Sequence, residues 1–134
     1  MSTAKRLEYS VSERSGTKAR ADPGWTAEHL LLSGLARCSL ASLEYSAKRA
    51  NVKVSGTAEA DGMVTRRASD GRFAFVETRV ALDVELDPPL EGEALAQLLE
   101  RAERGCFIGA SLAATPTYAW RVNGEQVDSP DGLG

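Results

Sequence analysis

The chain has 134 residues, the length of one ordinary domain. Its hydrophobic content of 43% and charged content of 26% are those of a globular protein with a core. The net charge of −3, with no basic block, gives no electrostatic case for nucleic acid binding. No run of 18 apolar residues and no apolar segment near the N-terminus is present, so we expect no membrane span and a cytoplasmic location.

The first predicted elements are a strand and a long helix. Leu7, Tyr9 and Val11 alternate with polar residues, which predicts a half-buried strand over 5–12. Residues 17–21 are consistent with a short second strand. The helix is predicted over 26–50, with a threonine at its N-cap position and leucine or alanine on nearly every side of its first half. A helix that is apolar all round is a buried helix.

The remainder of the chain predicts an α+β domain with mostly antiparallel strands. Five elements follow in the order strand, strand, helix, short helix and strand: residues 52–64, 72–86, 91–104, from about 106, and 117–122. We expect a single domain over 1–134, with 125–134 a loose tail. Because one sheet cannot cover a helix that is apolar on all sides, we also expect a homodimer.

Two cysteines carry the chemistry that the sequence suggests. Cys38 lies in the middle of the long helix, and Cys106 lies at the start of the short one. Free cysteines are most often buried core residues. A helix N-terminus or nearby arginines would instead favour a thiolate, and a reversible redox pair needs a second thiol within reach. The residues alone leave both interpretations open. With a lone histidine, His29, and no CxxC or HxxxH spacing, a four-ligand zinc site is disfavoured, and we expect no metal and no other cofactor.

The segment TAEHLLLSGLARCSLASLEYSAKRA, followed by AERGCFIGASL and a closing YAWRVNG strand, resembles the OsmC/Ohr family of thiol-dependent peroxidases. In that family the first cysteine lies on a buried helix, ten positions after a glutamate, as Cys38 lies after Glu28 here. The second cysteine opens a helix after a short break, as Cys106 does. The resemblance covers the chain from about Leu7 to Val122.

The resemblance implies an OsmC-like fold, in which antiparallel sheets wrap long, buried central helices in an intertwined homodimer. It also implies reduction of organic hydroperoxides, and of hydrogen peroxide less well. Cys38 would attack the peroxide and become a sulfenic acid, which Cys106 would resolve as an intramolecular disulfide. An external dithiol or lipoyl-type reductant would then restore both thiols.

The family also implies an arginine that stabilises the thiolate and a glutamate that orients the arginine. Glu28 matches this glutamate, but it lies about 15 Å along the helix from Cys38. It would therefore act through a folded-back loop or on the thiol of the partner subunit. Arg20 and Arg14 both fit the arginine, and Arg20 is favoured because it lies closer to the helix start.

Three apolar residues are expected to line a substrate pocket. Two of them share the helix face of Cys38, and the third follows Cys106: Leu31, Leu35 and Phe107. Two other functions stay open, both on the same fold. One is a non-catalytic module that binds a small ligand, and the other is a redox sensor that forms the disulfide without turnover.

Overall fold

The computed structural model describes residues 7–16 and 21–130. These residues form an α+β domain in which helices pack against a five-stranded sheet. The strands are β1 (Leu7–Arg14), β2 (Lys53–Arg66), β3 (Phe73–Asp87), β4 (Thr117–Val122) and β5 (Glu125–Val127). The helices are α1 (Ala27–Arg49), α2 (Gly92–Arg104) and α3 (Phe107–Ala110).

The sheet has the strand order β1-β2-β3-β4-β5. Neighbouring strands are antiparallel except β3 and β4, which run parallel because α2 and α3 bring the chain back between them. One face of β2 and β3 is buried by alternate residues, as the period-two pattern predicts. On β2 these buried residues are small, among them Ala58 and Ala60, so a helix can pack closely on them.

The long helix α1 begins where the sequence predicts. The Thr26 hydroxyl accepts a hydrogen bond from the His29 N–H at 3.5 Å, and the Thr26 N–H donates to His29 Nδ1 at 3.0 Å. This reciprocal pair caps the first turn. Leu32, Leu35 and Leu43 are fully buried, which places one face of α1 in the core against the sheet and α2.

The opposite face of α1 stays exposed within a single chain, although its residues are apolar. Leu30 is 52% exposed, Leu31 36% and Tyr45 66%, and Phe107 of α3 is 70% exposed nearby in the fold. A single chain therefore does not bury α1 on all sides. We call these four side chains the open apolar face.

The C-terminal region differs from the predicted loose tail. Residues Glu125–Val127 form β5, which pairs with β4 across a two-residue turn at Asn123 and Gly124. Both turn residues have positive φ, 50° and 82°, which is the geometry that Asn-Gly hairpins adopt. The Asn-Gly dipeptide was the sequence signal for this strand. The suggested strand at 17–21 lies outside the described residues except for Ala21, which is not in a strand.

Within the described ranges, no helix combines the length and the apolar character needed to cross a membrane.

Gly56 of β2 is required by the pairing of β2 with β3. Its φ is +150°, and a Cβ there would lie 2.2 Å from the Asp83 carbonyl oxygen and 2.7 Å from the Val84 Cα. We expect Gly56→Ala to lower the free energy of unfolding by about 3 kcal/mol, because strain and backbone overlap add. Gly71→Ala is the control, since Gly71 has a φ of +71° with no atom within 4 Å, and should lose only about 1 kcal/mol. Urea denaturation measures both, and equal losses would contradict the role of the Asp83 contact.

Candidate functional site

The fold brings the two cysteines together, as the sequence predicts for a redox pair. Cys38 lies at mid-length in α1, and Cys106 is the N-cap residue of α3. Both are free thiols, and Cys106 is close enough to Cys38 to raise the pKa of its thiol. Cys106 is only 1% exposed, whereas Cys38 is partly exposed.

A close approach between α1 and the end of α2 produces this arrangement. The Ser42 hydroxyl of α1 donates a hydrogen bond of 2.7 Å to the carbonyl oxygen of Ala102 in α2. Gly105 ends α2, and a Cβ added to it would lie only 2.5 Å from the Ser42 hydroxyl oxygen. The chain therefore passes close to α1 at Gly105, and the next residue, Cys106, lies near Cys38.

Cys38 opens into a groove of about 1170 Å³ between α1 and the α2–α3 corner. The lining is mainly apolar with a few arginines, and includes Gly34, Arg37, Ala41, Tyr45, Phe107 and Ile108. Phe107 lies in the groove wall, where the sequence analysis puts it. Leu31 is not part of this lining. The prediction that Leu35 lines the pocket is wrong, because its side chain points into the core and is fully buried.

Several effects act on the Cys38 thiol. Burial raises its pKa, and contact with Cys106 raises it further. The backbone N–H groups of Ile108 and Phe107 hydrogen-bond to the sulfur and oppose this rise. The sequence predicts that the N-terminus of the short helix stabilises the Cys106 thiolate. In the structure the first N–H groups of α3 act on Cys38.

The predicted partners of Cys38 are not assembled around it within the described residues of one chain. Glu28 lies in the first turn of α1, where hydrogen bonds from the Thr26 side chain and the helix backbone lower its pKa. Since α1 is continuous from Ala27 to Arg49, Glu28 stays about 15 Å from Cys38. Arg20 lies outside the described residues. Arg14 is described, at the exposed end of β1.

A buried charged cluster that the sequence analysis did not identify lies beside Cys38. Glu13 of β1 is 7% exposed, and its Oε1 atom is 2.7 Å from Arg37 Nε of α1. Its second oxygen accepts a hydrogen bond of 2.7 Å from the Ser33 hydroxyl. We call these three residues the Glu13 cluster. The available signal was that Glu13 continues the inward alternation of Leu7, Tyr9 and Val11.

The Glu13 cluster holds the Arg37 side chain against the sheet while leaving part of it in the groove wall. Arg37 precedes Cys38 in α1 and lines the same groove, so the groove carries a guanidinium group close to the Cys38 thiol. A planar guanidinium held by a buried carboxylate keeps a fixed orientation.

Metal binding finds no support in the described ranges, where no group of three or more His, Cys, Asp or Glu side chains is placed to hold an ion.

Comparison with known proteins identifies a family and a fold. A family model described as OsmC-like protein matches residues 18–121. No curated protein matches the sequence. An OsmC-like protein of unknown function from Vibrio cholerae has a similar structure, with a TM-score of 0.64 at 16% identity over 90% of this chain and 99% of that one. The organic hydroperoxide resistance protein OhrB of Bacillus subtilis aligns with a TM-score of 0.43 at 22% identity, over 90% and 98% of the two chains.

The Glu13 cluster predicts a measurable stability effect. We expect Glu13→Ala to lower the free energy of unfolding by about 3 kcal/mol, because it leaves a largely desolvated guanidinium and a buried hydroxyl without their acceptor. Glu8→Ala is the matched control, since Glu8 is an exposed residue of the same strand, and its effect should stay within about 0.5 kcal/mol. Urea denaturation of both variants tests this, and similar small effects would show that the cluster contributes little.

Proposed function

Since the chain belongs to the OsmC-like protein family, we propose that it is a thiol-dependent peroxidase that reduces organic hydroperoxides, and hydrogen peroxide less well. The observation that supports this proposal is the proximity of two free thiols from separate elements, one partly exposed in a groove and one buried behind it. A pair in this order suits a first thiol that meets the substrate and a second that resolves the product.

The proposed reaction has two steps. The Cys38 thiolate attacks one peroxide oxygen, the O–O bond breaks, and an alcohol leaves after taking up a proton. Cys38 is then a sulfenic acid. The Cys106 sulfur attacks the Cys38 sulfur, the S–O bond breaks, water leaves, and a disulfide remains. An external dithiol or lipoyl-type reductant returns two electrons by thiol–disulfide exchange. We place this cycle in the cytoplasm, where such reductants keep thiols reduced.

The first step needs a thiolate, and burial of Cys38 works against one. We propose that an arginine supplies the missing positive charge, with Arg20 favoured over Arg14, and that Glu28 orients it. Because the continuous helix α1 keeps Glu28 far from Cys38 of its own chain, the proposal assigns Glu28 to the Cys38 of a partner subunit. Arg37, held by the Glu13 cluster, contributes charge to the groove from within the chain.

We test the redox chemistry by intact mass and free-thiol count before and after one equivalent of cumene hydroperoxide. The wild-type chain should lose two thiols and about 2 Da, because a disulfide forms. Cys106→Ser should gain one oxygen atom at Cys38, and Cys38→Ser should keep its remaining thiol. Survival of both wild-type thiols in excess peroxide would overturn the peroxidase proposal in favour of a non-catalytic binding module.

Turnover separates the enzyme from a redox sensor. With a dithiol such as dihydrolipoamide in excess, the enzyme consumes many equivalents of hydroperoxide per chain. A sensor forms the same disulfide but consumes hydroperoxide slowly. Comparing dithiothreitol with a monothiol of similar potential shows whether the reductant must be a dithiol.

The open apolar face supports a second part of the proposal, that the working protein is a homodimer. Exposed apolar side chains on one helix face and on Phe107 are the surface that a second copy would bury. Analytical ultracentrifugation should give twice the chain mass of 14.3 kDa.

A charge on this face should weaken the dimer. We expect Leu31→Glu to shift the protein towards the monomer, because a carboxylate would have to be desolvated in the interface. Phe73→Glu is the control, since Phe73 is 52% exposed on the β2–β3 hairpin and not on the open apolar face. A monomeric wild-type protein would exclude this interface and the proposed role of the partner's Glu28.

A further inference from the structure

A pair of buried hydroxyl groups lies behind Cys106, on the side away from the groove. Ser39 of α1 places its oxygen 3.4 Å from the Cys106 sulfur. Tyr118 of β4 brings its phenol oxygen to the same place, since this oxygen and the Cys106 sulfur both lie next to Gly109, and Ser39 and Cys106 act on the pKa of the phenol. Ser39 is 1% exposed and Tyr118 is 8% exposed. The Ser39 hydroxyl, the Tyr118 phenol and the Cys106 thiol, which belong to three different elements, therefore lie close together in the buried core.

The available hydrogen atoms determine which group donates to which. The Ser39 hydroxyl donates to the Leu35 carbonyl oxygen at 2.9 Å, one turn earlier in α1. While it does so, the Ser39 oxygen is an acceptor for the Cys106 S–H group. The remaining donor of the cluster is the Tyr118 O–H group, which can donate to the Ser39 oxygen or to the Cys106 sulfur.

The Tyr118 phenol is held in place and keeps its proton. Its ring stacks on Trp120, with centroids 6.2 Å apart, and Trp120 Nε1 donates a hydrogen bond of 2.7 Å to Glu103. Burial raises the pKa of Tyr118, and contact with Cys106 raises it further, so the phenol remains a donor across the physiological pH range.

Gly109 leaves space for the Tyr118 oxygen beside the Cys106 sulfur. A Cβ at position 109 would lie 3.3 Å from the Tyr118 oxygen and 3.5 Å from the Cys106 sulfur. The tyrosine oxygen and the cysteine sulfur therefore face the same side-chain-free position on α3, and a larger residue would press against both.

Cys106 needs such a donor because its sulfur is almost sealed from water. When it attacks the Cys38 sulfenic acid, its S–H bond breaks, the S–S bond forms, the S–O bond breaks, and the thiol proton leaves with the hydroxyl as water. Negative charge develops on the Cys106 sulfur before the S–S bond is complete. In a low-dielectric site that charge requires a hydrogen bond donor from the protein.

We propose that Tyr118 donates a hydrogen bond to the Cys106 sulfur during disulfide formation, and that Ser39 orients the same sulfur towards Cys38. This inference rests on the proposed function for the identity of the reaction, but not for its test. Tyr118 and Ser39 act only on the second thiol, so the reaction of Cys38 with an oxidant should not depend on them.

The experiment uses dithiodipyridine on the full chain, so that peroxide chemistry is not needed. The Cys38 thiolate takes up one pyridylthio group and releases the first thiopyridone, and attack by Cys106 on the Cys38 sulfur of this mixed disulfide releases the second. In Tyr118→Phe we expect the first release to stay within about twofold of wild type. The second release should slow about tenfold, as expected for one lost hydrogen bond to a charged group.

The pH dependence of the second release distinguishes a donor from a packing residue. The titratable groups that face this site are Cys38 from α1, Cys106 itself and Tyr118 from β4, with Glu103 of α2 acting on the phenol. Loss of the Tyr118 hydroxyl should raise the pH at which the rate of the second release is half-maximal, because the attacking Cys106 thiolate is less stabilised. A purely structural substitution would lower the rate without moving the midpoint.

Two further variants keep the result interpretable. Tyr9→Phe removes a phenol oxygen from β1, far from Cys106, and should leave both releases unchanged. Ser39→Ala should slow the second release in the same direction as Tyr118→Phe and covers the case in which Tyr118→Phe does not fold. A wild-type rate and pH midpoint in folded Tyr118→Phe would overturn the inference. Wild-type protein that gives both releases but ignores hydroperoxide would refute the proposed function alone.

Discussion

The structure depends on the packing of one face of α1 against the sheet. Fully buried leucines along that face, among them Leu32, Leu35 and Leu43, each contribute about 2 kcal/mol of apolar burial. Small residues on the facing strand, such as Ala58 and Ala60, let the helix approach closely. The helix therefore has a single orientation, and every group of the site takes its position from it. Cys38 is placed at the edge of this packed face, between the core and the groove.

The site combines an unfavourable and a favourable effect on the same thiol. Burial disfavours the Cys38 thiolate, whereas the first N–H groups of α3 favour it. This arrangement follows from the route of the chain, because the close passage at Gly105 brings both Cys106 and the start of α3 onto α1. The local contacts within one chain thus place Cys106 and the first N–H groups of α3 close to the Cys38 thiol.

Two polar clusters lie inside an otherwise apolar region, one on each side of the cysteine pair. The Glu13 cluster orients Arg37 at the groove, while the Ser39 hydroxyl contacts the Cys106 sulfur and the Tyr118 phenol lies nearby. Buried polar groups are costly unless they are satisfied, so their presence here imposes one arrangement of side chains. Both clusters join α1 to strands of the sheet, one to β1 and the other to β4. The contacts that hold Arg37 and surround the Cys106 sulfur therefore also specify how the helix sits on the sheet.

Local sequence pattern was sufficient to predict most of the secondary structure and to single out the two cysteines. The capped helix at Ala27–Arg49, the alternating strands and the last long strand at Thr117–Val122 follow from periodicity, capping and turn residues, which act over a few neighbours. The family motif also singled out Cys38 and Cys106, because their settings are local. The strand β5 was missed although its Asn-Gly turn was present, since three residues carry too little pattern.

Tertiary structure decided what periodicity could not. Glu13 continues the inward alternation of β1, but only its contacts with Arg37 and Ser33 show that its charge is buried and paired. Leu35 shares a helix face with Cys38 in sequence spacing, yet it points into the core, because the sheet covers that side of α1. The hydroxyls behind Cys106 come from elements far apart in the chain. By itself, the sequence determined which elements form and which two cysteines match the family motif. The packing of distant elements decided which side chains surround those cysteines, because burial and charge pairing depend on contacts that no local pattern encodes.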